Sequence, residues 1–80
     1  MHYGRLKTSP RLQRALHALQ RANGELSTME LAKRARICAV NSVIAELRAN
    51  GAEITCRTAH DGKQRRWFYT LVKSPKGYDA

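Results

Sequence analysis

The stretch Ser27-Thr28-Met29-Glu30-Leu31-Ala32-Lys33-Arg34-Ala35-Arg36-Ile37-Cys38-Ala39-Val40-Asn41-Ser42-Val43-Ile44-Ala45-Glu46-Leu47-Arg48-Ala49-Asn50-Gly51 decides how this chain folds. Ser27 precedes Glu30 by three residues, the spacing of a capping box. There a serine hydroxyl and a glutamate carboxylate satisfy two otherwise orphaned backbone amides at a helix start. Met29, Leu31, Ala32 and Ala35 follow as inward positions and predict a short helix over 28–35. Arg36-Ile37-Cys38 reads as a turn, with Ile37 the apolar residue that pins it to a core. Val40, Val43, Ile44 and Leu47 recur at helical spacing and predict a second helix over 39–49. Asn41, Ser42, Ala45 and Arg48 fall on its opposite face. Asn50-Gly51 closes it, since glycine takes the left-handed conformation without a Cβ penalty.

Upstream, Ser9-Pro10 is a helix start: the hydroxyl can cap, and proline is tolerated at the first helical position. Leu12, Ala15, Leu16 and Leu19 then make one face of a helix over 10–22, ended by Asn23-Gly24. Glu25-Leu26 is a short extended link; in winged folds a link at this place often pairs with the later hairpin as a small third strand. Downstream, residues 52–58 alternate, with Ile54 and Cys56 on one face and Glu53, Thr55 and Arg57 on the other. His60-Asp61-Gly62-Lys63 carries the Asp-Gly hairpin signal. Residues 65–72 are rich in strand formers. Trp67, Tyr69 and Leu71 share one face and Arg66, Phe68 and Thr70 the other, so this strand alone does not reveal which side is core. Three helices followed by a β-hairpin give an α+β chain with the element order of a winged helix-turn-helix. The expected organisation is a basic N-terminal arm over 1–8, one winged helix domain over 9–72 and a flexible tail over 73–80.

Composition supports this reading. Eighty residues, 42% of them hydrophobic, allow one small domain with a thin core. Fifteen Lys and Arg stand against six Asp and Glu, a formal charge of +9. Such an excess at this size points to nucleic acid or a nucleoprotein partner. Cys38 and Cys56 have no CxxC spacing and read as small buried residues rather than as metal ligands or a disulfide. No apolar run has the length of a signal or a membrane span, so a cytoplasmic, reducing setting is the expectation.

Residues 37–51, from Ile37 through Asn41, Ser42 and Arg48 to Gly51, resemble the recognition-helix segment of small helix-turn-helix proteins encoded by bacteriophages and prophages. An aromatic strand such as Arg66-Trp67-Phe68-Tyr69 follows in that family, and the resemblance covers roughly residues 9–72. It implies a DNA-binding domain, by analogy of fold.

The candidate contacts with nucleic acid follow from position. Asn41 and Ser42, at the start of the third helix, are the base-edge candidates, since asparagine can pair with adenine and serine with several bases. The competing reading makes them polar capping residues. Arg48 either meets a phosphate or serves the helix dipole. Lys33, Arg34 and Arg36 cluster at the end of the second helix. Arg57, Lys63, Arg65 and Arg66 flank the wing tip, where phosphate or minor-groove contact is favoured over fold stability. Arg5, Lys7, Arg11 and Arg14 form a basic group that extends the footprint. Trp67, Phe68 and Tyr69 read as core, with base stacking as the alternative. His2, His17 and His60 are scattered, and no carboxylate pair, nucleophile triad or glycine-rich phosphate loop stands out. The expectation is therefore no enzyme, no cofactor and no metal.

The reading that gathers most of this is a DNA-binding regulator or accessory factor of a phage or mobile element, with double-stranded DNA as partner. The alternative is a small inhibitor that blocks target DNA binding by a host CRISPR effector of the Cascade type. Size and basic character resemble some anti-CRISPR proteins. A third reading uses the winged fold for dimerisation only. The sequence does not choose between monomer and dimer.

Overall fold

The computed structural model describes residues 4–22 and 24–78. Three helices precede a three-stranded antiparallel sheet: α1 (Pro10–Arg21), β1 (Leu26–Ser27), α2 (Thr28–Ala35), α3 (Val40–Ala49), β2 (Glu53–Asp61) and β3 (Gln64–Lys73). The chain is α+β with a winged helix arrangement, and the hairpin of β2 and β3 is the wing.

Local chemistry sets the starts of α1 and α2, whereas α3 begins at Ala39 with no side-chain cap. The Ser9 hydroxyl accepts from the Leu12 amide at 3.4 Å, and Pro10 occupies the first turn of α1. At the start of α2 both halves of the capping box form. Ser27 Oγ accepts from the Glu30 amide at 3.1 Å, and Glu30 Oε1 accepts from the Ser27 amide at 3.0 Å. The amide and hydroxyl of Ser27, with help from Arg34, hold the Glu30 carboxyl below its ordinary range. α2 ends where Arg36 turns left-handed, at φ 55°, and the amides of Arg36 and Ile37 both reach back to the Ala32 carbonyl. Ile37 is buried, as a turn-pinning residue must be.

The order of strands is β1-β3-β2, so β3 is central. Leu26 pairs with Tyr69 and Ser27 with Phe68, which makes the link before α2 the expected third strand. Across the hairpin, Ile54 pairs with Leu71, Cys56 with Tyr69, Thr58 with Trp67 and His60 with Arg65. The strands run further than the sequence implied. Asp61 still pairs with Gln64, so the loop is Gly62-Lys63, with the positive φ it needs at Gly62.

Leu12, Leu16, Leu31, Val43 and Leu47 form the centre of the core, and Ile54 and Tyr69 close it from the sheet. The core ends there. β2 is nine residues long, roughly 30 Å of strand, but Ile54 is its only fully buried residue. The hairpin therefore overhangs the helices, and the molecule measures 40 × 27 × 19 Å. No helix among the described residues is long and apolar enough to cross a membrane.

Both ends of the described chain depart from expectation. Residues 4–8 are docked rather than a free arm. Leu6 is buried in a single 3₁₀ turn (Leu6–Thr8), and its amide donates to Asn50 Oδ1 at 3.1 Å. Asn50 Nδ2 donates to the carbonyls of Gly4 and Glu46 at 2.9 and 2.7 Å. Gln13 Nε2 donates to the Leu6 carbonyl at 2.9 Å. Residues 74–78, expected as a loose tail, turn back onto α1. Pro75 is buried, Tyr78 packs against the core, and Gln20 Nε2 donates to Ser74 Oγ and to the Tyr78 carbonyl. Apolar contact outweighs the Pro and Gly content that suggested looseness. Residues 1–3 of the arm, Asn23 of the first helix stop and residues 79–80 of the tail lie outside the described residues.

Asn50 alone joins the amino-terminal turn to the end of α3. Asn50→Ala is expected to lower stability by roughly 2–3 kcal/mol, the sum of its lost hydrogen bonds. Urea unfolding measures that loss, and faster hydrogen exchange at the Leu6 amide localises it.

Candidate nucleic-acid interface

The basic residues divide into those that hold the fold and those that face solvent unpaired. Arg11 donates to both carboxylate oxygens of Glu46, at 2.8 and 2.6 Å, and so ties α1 to α3. Arg14 Nε donates to the Ala35 carbonyl at 2.8 Å and closes the end of α2. Arg48 Nε and Nη2 both donate to the Ile54 carbonyl, at 3.2 and 2.7 Å, and fasten α3 to the first strand of the wing. Arg57 makes a two-pronged pair with Glu25, with Nε to Oε2 at 2.9 Å, and its guanidinium lies 4.5 Å from the centre of the Phe68 ring. The Arg57 hydrogen bond holds the Glu25 carboxyl below its usual range and raises Arg57 in turn. Arg66 lies 3.4 Å from Asp61.

These placements correct the simplest picture of the wing. Arg57 and Arg66 are not free cations, because each has an acidic neighbour on the same sheet face. Arg48 remains exposed, but its guanidinium is committed to a backbone carbonyl. Arg11 and Arg14 are interhelical ties.

What remains is a second set. Lys33 and Arg34 in the last turn of α2, Arg36 just beyond it, and Lys63 and Arg65 at the wing tip are exposed. None donates a side-chain hydrogen bond to, or forms a close ion pair with, another described residue. Arg5 and Lys7, beside the docked amino-terminal turn, Arg21 at the end of α1, Lys73 at the end of β3 and Lys76 beyond it are exposed as well. Ser42 is exposed on α3.

Between α3 and the wing lies a groove of about 450 Å³. Ile44 and Tyr69 make its floor. Asn41 and Arg48 line the helix side, Cys56 and Trp67 the wing side, and Thr28 one end. The Tyr69 hydroxyl donates to Asn41 Oδ1 at 3.2 Å. That bond uses one of the two lone pairs on the Asn41 oxygen and orients the amide, whose NH₂ group has no hydrogen-bond partner among the described residues. A second concavity, of about 240 Å³, lies between the end of α1 and β3 and is lined by uncharged residues.

The aromatic strand was expected to be core, and only part of it is. Tyr69 is 5% exposed, whereas Trp67 is 42% exposed and Phe68 lies on the other face beneath Arg57. The cysteines also depart from expectation. Cys38 and Cys56 are both exposed free thiols, one in the inter-helix turn and the other where the sheet leaves the helices. The groove positions Thr28, Cys56 and Trp67 were not singled out as contacts by sequence reasoning. A signal was present in β2. Past Ile54 and Cys56, the same face continues with Thr58 and His60, neither of which can extend an apolar core. Trp67 pairs with Thr58 and shares its wet surroundings.

Among the described residues, no three His, Cys, Asp or Glu side chains gather as a metal site would need. No family model, no curated protein and no solved structure matches the chain.

The division of cations is testable by stability alone. Arg48→Ala is expected to cost about 1–3 kcal/mol, the worth of charged hydrogen bonds to a carbonyl. Lys63→Ala and Arg65→Ala should stay within about 0.5 kcal/mol of the parent chain. Urea unfolding midpoints compare the three.

Acid provides a second check. Glu25 and Glu30 bind protons less readily folded than unfolded. Their contribution is complete above the ordinary carboxylate range and declines as pH falls from about 5 through their depressed folded values. Glu25→Gln should flatten that decline, read as unfolding midpoints between about pH 3 and 6.

Proposed function

We propose that this chain is a DNA-binding winged helix protein, a small regulator or accessory factor. It docks α3 toward the major groove of a duplex and rests its wing on the neighbouring backbone. The observation that carries the reading is the pairing of charge. Of the acidic residues described, Glu25, Glu46 and Asp61 pair with Arg57, Arg11 and Arg66, Glu30 belongs to a helix cap, and Glu53 stands at the base of the hairpin, across the ladder from Lys73 and away from the tip. Lys33, Arg34, Arg36, Lys63 and Arg65 form no close ion pair, and only Arg34 has an acid near it, the Glu30 of the cap. With the other exposed cations, Arg5, Lys7, Arg21, Lys73 and Lys76, they repel one another, which is unfavourable for folding and favourable for gripping phosphates.

A major groove about 12 Å wide admits a helix such as α3. Its exposed polar groups near the amino-terminal end are the Asn41 NH₂ and the Ser42 hydroxyl. These make few base-edge contacts, so affinity comes chiefly from the backbone and discrimination between sequences is modest.

A salt series on random-sequence duplex tests this directly. Plotted as log affinity against log salt, binding should fall with a slope on the order of −3 to −5, about −0.9 for each phosphate neutralised. Lys63→Ala combined with Arg65→Ala should reduce the slope by about 2 units. Binding that ignores salt, or no binding at low salt, defeats the proposal.

Arg36 offers a sharper test, because glycine suits its φ of 55° better than arginine does. Arg36→Gly should raise stability by about 1 kcal/mol while weakening duplex binding. A variant that is both stabler and equally tight would remove Arg36 from the interface.

A further inference from the structure

The groove between α3 and the wing is built differently from a surface made only to rest on phosphates. Its outer wall is the Trp67 side chain, 42% exposed on a strand whose next residue on that face inward, Tyr69, is core. Burying an indole is favourable by roughly 2 kcal/mol or more, yet this one is held outside the core by strand length. Nothing acidic lines the groove: its polar side chains are Asn41, Thr28, Arg48, Cys56 and Tyr69, of which the Thr28 hydroxyl donates to the Trp67 carbonyl and the Arg48 guanidinium to that of Ile54. The Tyr69 hydroxyl fixes the Asn41 amide with its NH₂ group available. Two residues further along the wing, on the same face as Trp67, stands Arg65, paired across the hairpin with His60.

We propose that this groove binds an unpaired nucleobase of a single-stranded nucleic acid. The base stacks on the Trp67 indole. The Asn41 NH₂ donates to an acceptor on the base edge, and Arg65 meets the adjoining phosphate. The occupant is argued from the charge and the donor set: a flat π-system to face the indole, an acceptor for the amide, and an anion for the arginine two residues away. An apolar peptide would satisfy the indole but not the flanking cation, and an acidic peptide would lack the planar group. Duplex DNA offers the phosphates but keeps its bases stacked inside, out of reach of a wing-mounted indole. The inference rests on the nucleic-acid reading above and deepens it. The same wing that lies on a duplex backbone holds a strand once its bases are unpaired, so the preferred target is a junction, a bubble or a free strand.

The experiment uses the whole chain and its one tryptophan. Short oligo(dT) and oligo(U), about twelve nucleotides long, are titrated into the protein while Trp67 emission is followed. A random-sequence duplex of the same length is titrated in parallel, with binding also read by electrophoretic mobility. Stacking on the indole should quench the emission strongly with the single strands and little with the duplex. The DNA and RNA arms show which backbone is accepted.

Trp67→Ala, at a position 42% exposed, is expected to fold cooperatively with a modestly lower unfolding midpoint. It should lose roughly tenfold or more in single-strand affinity, as base–aromatic stacking requires, and keep duplex affinity within about twofold. Trp67→Phe should restore part of the single-strand affinity. If the Trp67 emission is unmoved by saturating oligo(dT) and oligo(U), or if Trp67→Ala binds them as well as the parent, the groove is not a base site and this inference falls. Salt-dependent duplex binding would in that case leave the reading of the previous subsection standing. Absence of binding to every nucleic acid would overturn both.

Discussion

The hydrogen bond from the Tyr69 hydroxyl to Asn41 joins the two halves of the molecule, and much of the rest depends on it. Tyr69 sits in the central strand, paired with Leu26 on one side and Cys56 on the other, and is the only fully buried aromatic ring among the described residues. A buried tyrosine hydroxyl without a partner would be costly. The partner here comes from α3, so satisfying one phenol fixes the helix against the sheet. The same contact sets the orientation of the Asn41 amide. Arg48 reinforces the joint one end further along, by clasping the carbonyl of Ile54.

Around that joint the charged side chains perform two kinds of work. Arg11 and Arg14 are short-range fasteners between helices, and Arg57 lies flat on Phe68 while holding Glu25. An exposed ion pair of this kind adds little to stability and is screened by salt. Its consequence is to neutralise one face of the hairpin. The cations of the tip, Lys63 and Arg65, and those at the end of α2 are left without a close ion pair. In a chain of formal charge +9, where the few acids stand matters as much as where the many bases do.

The helices and the strand pairing were legible in the sequence because each is written in local chemistry. The Ser27–Glu30 box, Pro10 after Ser9, and the spacing of Val40, Val43, Ile44 and Leu47 all act within a few residues of one another. The pairing of the link at Leu26 was expected from the habit of winged folds, and Leu26 does pair with Tyr69. What could not be read is what depends on distances between elements. Alternation in β3 distinguishes two faces but does not say how far along the strand the helices reach. Trp67 therefore read as core although its neighbour across the hairpin is a threonine in water. The arginines posed the same difficulty. Arg48 and Ile54 are close in sequence, but their contact forms only after the chain has reversed between α3 and β2. Arg57 and Glu25 meet only once the sheet has assembled. The tail misled for another reason: Pro and Gly mark a bend, and a bend can also bring Pro75 and Tyr78 back onto α1.

The hairpin ladder carries an unbroken register from Ile54 to its loop. Beyond the core, that regularity becomes a rule of parity. Adding one residue to each strand would turn everything distal to it over, exchanging the face that holds Arg65 and Trp67 for the one that holds Arg66 and Phe68. Adding two to each strand would leave the faces as they are and advance the tip by roughly 7 Å. The helical core is indifferent to either change, since nothing past Tyr69 is packed into it. Descendants of this chain are thus at liberty to reach farther, but only in even steps, and an odd one would present the opposite palm of the same hand.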